Sequence, residues 1–152
     1  MDSLINVALC VLIYAWLEYL VHRFDMHKRG SARFTSHTIE HHGQLDMGEN
    51  QASLTQSDVA AVFWFSLPAT LAMYYWVSPA FPIYWIGFLF WAGFSWTAVH
   101  RNIHGEPGYW YAWLLCPWLP LVRWNHLRHH ANPKRGYGGM FWFLTDTIAG
   151  TV

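Results

Sequence analysis

The feature that most constrains the fold is a run of 41 residues, 59–99, that contains no Lys, Arg, Asp, Glu or His. A helix rises about 1.5 Å per residue and the hydrocarbon core of a bilayer takes about 20 helical residues, so the run has room for two crossings. Pro79 and Pro82 lie in the middle of the run, and proline disfavours the interior of a helix. We therefore predict a helical hairpin with arms at 59–77 and 83–99, the first arm kinked at Pro68.

A second apolar stretch, Leu4 to Val21, is also long enough to cross a bilayer and is interrupted only by Asn6 and Glu18. It lacks the basic start and the small-residue cleavage site of a signal peptide, so we expect it to stay in the mature fold. The segment from Tyr109 to Trp124 is apolar but contains two prolines. We predict a buried or interfacial element there rather than a span.

Composition agrees with a membrane setting, because 12% of the residues are charged and a soluble domain has about 25%. The alternative is a soluble protein with a very apolar core. The net charge of zero argues against nucleic acid as a partner, since phosphate binding needs a basic excess. The length indicates a single domain over residues 1–152, and the context of the two cysteines gives no sign of a disulfide framework.

The basic residues are distributed asymmetrically, because all nine follow either the first predicted span or the hairpin. One span followed by a hairpin returns the chain to the same side, so 22–58 and 100–152 share a face. The positive-inside rule makes that face cytoplasmic and places the N-terminus on the opposite side. The expected fold is therefore an all-α integral membrane bundle of about three spans with a cytosolic, histidine-rich cap.

All ten histidines fall into four short motifs on that predicted face. The motifs are spaced H-x4-H, H-x3-H-H, H-x3-H and H-x2-H-H along the chain. Their members are His22 and His27; His37, His41 and His42; His100 and His104; and His126, His129 and His130.

Helical periodicity lets several of these imidazoles meet, because residues three and four apart share a helix face. His37 and His41 have this spacing, and we expect His42 to lean to the side of their face. His22 and His27 are five apart, about 140° around an ideal helix. A helix end or distortion is predicted between them if they share a metal.

Ten imidazoles exceed the needs of one tetrahedral zinc, and two metal ions with four or five ligands each would use nearly all of them. Imidazole suits iron, zinc and copper, so ligand type alone does not name the metal. A histidine pH sensor and a non-catalytic zinc site, structural or for transport, are the alternatives.

The four motifs, with the apolar hairpin between the second and third, resemble the fatty acid hydroxylase/sterol desaturase superfamily of membrane-bound, histidine-rich di-iron oxygenases. The stretch from Glu18 to His27 is similar to the opening motif of fatty acid and carotenoid hydroxylases. The glycine-rich run 136–139, Asp146 and the Gly150-Thr151 pair are similar to the family's tail. The second motif has three residues before its paired histidines where many relatives have two, which leaves the role of His37 open.

The resemblance implies one fatty acid hydroxylase-like domain with a paired-metal site, with iron in the active form and zinc possible in a purified sample. It implies O2 as co-substrate, a membrane lipid as substrate, and hydroxylation, with desaturation or carotenoid hydroxylation as the alternative. The chain has no fused cytochrome domain, so we expect a separate donor such as cytochrome b5 or a ferredoxin. The pattern does not give the oligomeric state.

Polar residues near the motifs are candidates to orient the imidazoles, as the outer ligands of metal sites commonly do. These candidates are Glu18, Asp25, Glu40, Asn102, Asn125 and Asp146.

Overall fold

A computed structural model describes residues 2–31, 33–42 and 56–152, and the described residues form helices and turns without a strand. Two stretches, His22–Met26 and Thr35–His41, are π-helical, and Pro107–Tyr109 is a 3₁₀ turn. The α-helices are α1 (Asp2–Val21), α2 (Gln56–Trp76), α3 (Phe81–Ile103), α4 (Ala112–Leu115), α5 (Leu119–Ala131) and α6 (Trp142–Ala149).

The predicted hairpin forms, with α2 and α3 as its arms and the proline-containing turn between them. Pro68 lies inside α2, as expected. The turn lies beside the start of α1, because the Asn6 amide donates to Ser78 Oγ at 3.4 Å and the Tyr84 hydroxyl to Ser3 Oγ at 2.8 Å. α1 and α3 therefore run parallel, and both reach their histidines at the far end of the bundle.

Two apolar clusters hold the bundle together. Near the hairpin turn, Cys10 of α1 packs with Phe81 and Trp85 of α3. Closer to the histidines, Ala15 and Val99 belong to a larger cluster that α5 and the 140–141 segment complete. In the larger cluster, Ala15 of α1 and Ala98 of α3 are small and allow the two helices to approach closely, which fixes the relative position of the histidines that follow them.

Among the described residues, the helical stretch Asp2–Met26 is long and apolar enough to cross a membrane, with a mean hydropathy of 2.0. α2 and α3 contain 21 and 23 residues, so their length also suits a bilayer, but crossing by these two helices stays a prediction. α1 and α3 carry large apolar side chains outward, among them Leu4 and Phe90, each 78% exposed.

The chain between the third and fourth motifs is broken into short elements, which agrees with the prediction that Tyr109 to Trp124 is not a clean span. Ala112, Cys116 and Leu119 are buried against the bundle, whereas Trp110 and Leu114 point outward. The segment therefore packs across the end of α3. As a result α5, which carries the fourth histidine motif, lies at the same end of the bundle as the other three motifs.

Candidate metal centre

The ten histidines gather at one end of the bundle, where nine of them form two groups. Within each group, one potential ligand atom per residue lies within 4.8 Å of every other. The first group contains His22, His27, His37, His42 and His129, and the second contains His41, His100, His104 and His126. His130 adjoins the second group, with its Nε2 3.0 Å from that of His126.

The first group draws on three of the four motifs. The Nε2 atoms of His22 and His37 are 2.8 Å apart, and those of His27 and His129 are 3.0 Å apart. The π-turn at His22–Met26 supplies the distortion that the five-residue spacing of His22 and His27 requires, since a π-helix hydrogen-bonds over five residues. The two rings face each other with centroids 5.1 Å apart.

The second group centres on His126 of α5. Its Nε2 lies 3.2 Å from Nε2 of His100 and 3.0 Å from Nε2 of His104, which stand one turn apart at the end of α3. Trp96, one turn before His100, stacks on that ring at 5.1 Å between centroids and fixes its plane. The i, i+4 spacing of the third motif thus brings its two rings together as expected.

The second motif divides differently from the prediction. The π-turn Thr35–His41 gives His42 a backbone N–H bond to the carbonyl of His37, and their Nε2 atoms lie 3.2 Å apart in the first group. His41 points to the second group, where its ring centroid is 4.9 Å from that of His100. The expected pairing of His37 with His41 is therefore wrong, because a π-turn brings residues five apart, rather than four apart, onto one face.

The spacing of the nitrogen atoms suits metal ligation. Imidazole nitrogens bind zinc at about 2.0–2.1 Å, which separates neighbouring ligand atoms by about 2.9 Å in an octahedron and about 3.4 Å in a tetrahedron. The measured Nε2–Nε2 distances of 2.8 to 3.2 Å fall in or next to this range. Both ring nitrogens of His41 are buried and have no hydrogen-bond partner among the described residues. A buried polar atom without a partner is costly, and a bound ion would satisfy it.

The electrostatics of the cluster favour neutral rings. Burial lowers the pKa of His129 to about 3, and the pKa values of His27 and His130 to about 4. Burial also lowers the pKa of His41 to about 2, helped by the neighbouring His130 and His104. Only the neutral imidazole has a lone pair to give to a metal, so the surroundings hold these side chains in the ligating form.

A family comparison agrees with this geometry. The fatty acid hydroxylase family model matches residues 7–151, which is nearly the whole chain and includes all four histidine motifs. The chain belongs to the fatty acid hydroxylase family. No curated protein and no solved structure gave a significant match.

Membership in the fatty acid hydroxylase family makes the chain part of a group of membrane-bound hydroxylases and desaturases. The two histidine groups are the metal-binding candidates within it.

In this member of the fatty acid hydroxylase family, backbone carbonyls orient two rings of the first group. The Nδ1–H of His22 donates to the Tyr137 carbonyl, and that of His129 to the Arg135 carbonyl, each at 2.6 Å. Because a carbonyl can only accept, these bonds fix the tautomer and leave both Nε2 lone pairs facing the group. The sequence indicated the glycine-rich tail, but no residue type marks a carbonyl as an orienting group.

Asp146 holds the loop that presents the Tyr137 carbonyl. Its buried carboxylate accepts the backbone N–H groups of Tyr137 at 2.9 Å and Gly138 at 2.7 Å, and the Thr151 hydroxyl at 2.6 Å. Asn125 donates its amide to the Gly138 carbonyl at 3.2 Å. Asn125 also donates to the Asp146 carboxylate at 3.3 Å. Both residues are predicted to help orient the imidazoles, Asp146 by accepting a ring N–H; in the structure they act through the backbone of the loop instead.

Glu18 of α1 also holds the 136–139 loop. Its carboxylate accepts the backbone N–H of Gly139 at 3.1 Å, and a side chain at Gly139 would overlap that carboxylate. A side chain at position 139 would therefore displace the Glu18 carboxylate from the loop. Glu18 thus ties α1 to the loop rather than to a histidine ring.

The remaining predicted candidates take other partners. Asp25 pairs with Arg33, which links the two π-turns. Asn102 donates to the Tyr109 carbonyl at 3.1 Å and closes the turn after α3. The side chain of Glu40 lies outside the described part of the structure.

Proposed function

We propose that the protein is an O2-dependent di-iron oxygenase that hydroxylates an unactivated C–H position of a membrane lipid, such as a fatty acyl chain. The observation that carries the proposal is the convergence of the histidines into two groups at one end of an apolar bundle. His22, His27, His37, His42 and His129 would hold one ion. His41, His100, His104, His126 and His130 would hold the other.

Iron is the metal that this activity requires, because the reaction needs a redox-active centre with open coordination positions. When bound, the two ions would supply the site at which O2 is reduced. Hydroxylation consumes O2, two electrons and two protons for each C–H converted to C–OH, and the second oxygen atom leaves as water. The electrons would come from a separate donor protein such as a cytochrome b5 or a ferredoxin, and the basic residues beside the cluster suit an acidic donor.

The residues of the chain itself prepare and enclose this site. Burial keeps the imidazoles neutral, and the Tyr137 and Arg135 carbonyls hold two rings with Nε2 inward. Trp96 and Tyr137 pack on ligand rings and exclude water from them. A water-poor site limits loss of reactive oxygen species to solvent.

The proposed membrane arrangement follows from the direction of the helices. α1 and α3 run parallel, and α2, which lies between them in the sequence, runs in the opposite direction. Three crossings would therefore place every histidine motif on one face. The concentration of basic residues after the spans supports a cytoplasmic location for that face, with the N-terminus opposite. A lipid chain would then reach the cluster laterally from the bilayer.

The direct test compares the purified protein with its His104→Ala and His129→Ala variants, and with Arg123→Gln as a matched surface control. We expect iron reconstitution and lipid-dependent O2 consumption in the parent protein and in Arg123→Gln. In each histidine variant we expect loss of activity and of the metal ion of the affected group, the second group for His104→Ala and the first for His129→Ala. Mass spectrometry of host lipids and carotenoids would show a mass gain of one oxygen for hydroxylation and a loss of two hydrogens for desaturation.

Two results would overturn the proposal. One is retention of both metal and activity after either histidine substitution. The other is stable zinc binding with no O2 uptake by the iron-loaded protein for any donor and lipid, which would identify a non-catalytic zinc protein.

A further inference from the structure

A cleft of 520 Å³ opens beside the junction of α1 and the first π-turn. One wall is apolar and comes from the last turns of the first span, with Leu17, Leu20, Val21 and Phe24. Leu20 is 44% exposed and Phe24 58% exposed, so this wall faces outward from the bundle. The volume is in the range of sites that hold small molecules or lipid head groups.

The opposite rim is basic. Lys28, Arg29 and Arg33 line it together with a single carboxylate, that of Asp25, and Arg33 is paired with that carboxylate. Lys28 and Arg29 are exposed, and their side chains make no ion pair or hydrogen bond with a described residue. Within the described part of the chain, the two positive charges that border the cleft therefore have no compensating partner.

The backbone holds this rim in place. Ser31 N–H donates to the Lys28 carbonyl at 3.1 Å, and the Lys28 N–H to the Asp25 carbonyl at 3.3 Å. Gly30 adopts a φ of +87°, which a side chain would disfavour, so the turn closes tightly behind Lys28 and Arg29. The two cations are thus carried on an ordered turn.

The position of the cleft along α1 identifies what it could bind, and this step rests on the membrane placement proposed above. Along the cleft, the apolar wall ends at Phe24 and the lining cations begin at Lys28, so the cleft spans the level at which a bilayer changes from acyl chains to head groups. An anionic amphiphile would match both halves of the cleft. A free phosphate would leave the apolar wall unused.

We propose that this cleft binds the anionic head group of a membrane lipid at Lys28 and Arg29, with the upper part of an acyl chain along Leu20 and Phe24. The site adjoins the first histidine group, because Val21 precedes His22 and Asp25 lies between His22 and His27. A lipid held here would stand beside the metal-binding end of the bundle. Its head group would determine how the protein sits at the membrane surface.

The test measures thermal stabilisation of the purified, metal-free protein in an uncharged detergent at fixed ionic strength. The probes are phosphatidylglycerol, phosphatidylcholine and inorganic phosphate. The cleft variant is Lys28→Gln/Arg29→Gln. The matched control is Arg123→Gln/Lys134→Gln, which removes the same charge from exposed positions outside the cleft.

We expect phosphatidylglycerol to stabilise the parent protein at much lower concentration than the other two probes. Each basic residue at a membrane surface contributes about fivefold to the affinity for anionic lipid, so the cleft variant, which lacks two, should bind about 25-fold more weakly. The control pair should bind nearly as well as the parent. Equal melting temperatures of all three proteins without lipid would show that the substitutions leave the fold intact.

Three outcomes would overturn the inference: equal stabilisation by the two lipids, equal stabilisation by inorganic phosphate, or equal weakening in the cleft and control variants. Because binding is read without metal or turnover, a failure of the proposed oxygenase activity would leave this result unchanged. Conversely, if the protein were an active oxygenase but bound the two lipids equally well, the proposed lipid site would be rejected and the proposed activity would stand.

Discussion

The imidazole rings of His42 and His130 stack on each other, with centroids 4.5 Å apart and planes 20° from parallel. His42 belongs to the first histidine group, and His130 lies beside the second. Their chain neighbours do the reverse, since His41 lies in the second group and His129 in the first. Each histidine pair therefore straddles the two groups, and the stacked rings lie where the groups meet.

This division predicts that two adjacent substitutions remove different metal ions. His41→Ala should empty the second group and His42→Ala the first, because each deletes a ligand from one group only. We expect metal content measured by mass spectrometry to fall by about half in each variant and close to zero in the double variant. Loss of both ions from each single variant would show that the two groups bind metal only as a unit.

Asp146 should affect both stability and metal binding, although its carboxylate contacts no histidine ring. Asp146→Asn replaces one accepting oxygen by an NH2 group, which would face a backbone N–H of the 137–138 loop. An unpaired buried polar group costs about 1–3 kcal/mol, so we expect a clear fall in the melting temperature. The released loop should also weaken metal binding at the first group, through the lost orientation of His22.

The matched control for this substitution is Thr147→Ala, at the exposed position next in the chain. It should leave both the melting temperature and the metal content unchanged. If Asp146→Asn lowered stability but retained full metal affinity at the first group, the carboxylate would be a fold determinant without influence on the site.

Much of the architecture could be predicted because it depends on long-range patterns of charge. The uncharged run predicted the two arms now seen as α2 and α3, and the spacing of His100 and His104 predicted their common face. The length of α1 followed in the same way from its apolar stretch. The lengths of the helices depend on the composition of many residues, so one atypical residue does not change the prediction. The shared face of His100 and His104 follows from regular α-helical geometry.

The assignments that were wrong or incomplete depend on local backbone geometry. Whether His37 faces His41 or His42 is decided by one hydrogen bond, from His42 N–H to the His37 carbonyl, and no residue type encodes a π-turn. Glu18 and Asp146 were singled out as carboxylates near the motifs. Their partners are backbone N–H groups brought close by tertiary packing, which a sequence pattern does not reveal.

The π-turn in the second motif suggests how the extra residue is accommodated. Deleting Ile39, whose side chain is 57% exposed, would leave His37 and His42 four apart, so the same N–H and carbonyl could form an α-helical bond. We expect this deletion to keep both metal ions and to change the melting temperature little. Ile39→Ala, which keeps the original length, is the control for loss of the side chain.

Metal analysis and thermal unfolding of the two proteins would check this expectation. Selective loss of the ion at the first group in the deletion variant, with normal metal content in Ile39→Ala, would mean that the wide turn itself is needed to aim His37.

Stability of the metal-free protein should fall as the pH drops below the ordinary histidine pKa of about 6.5. Burial lowers the pKa of His129 to about 3 and that of His27 to about 4, so these rings stay neutral in the fold after the unfolded chain has taken up protons. The unfolded state then binds more protons than the folded state, and the free energy of unfolding declines with falling pH. Above about pH 7.5 both states are neutral at these positions, and the contribution of the histidines is flat.

Thermal unfolding of chelator-treated protein between about pH 8 and about pH 5 would measure this dependence. Replacing the fully buried His129 by Gln should make the decline less steep, because one lowered pKa is removed. Bound metal should raise stability across the range and should be released as the pH falls, since protons compete for the same nitrogens. A melting temperature independent of pH in the metal-free protein would mean that the rings titrate in the fold as they do in the unfolded chain. They would then be open to solvent, which contradicts a buried, neutral cluster.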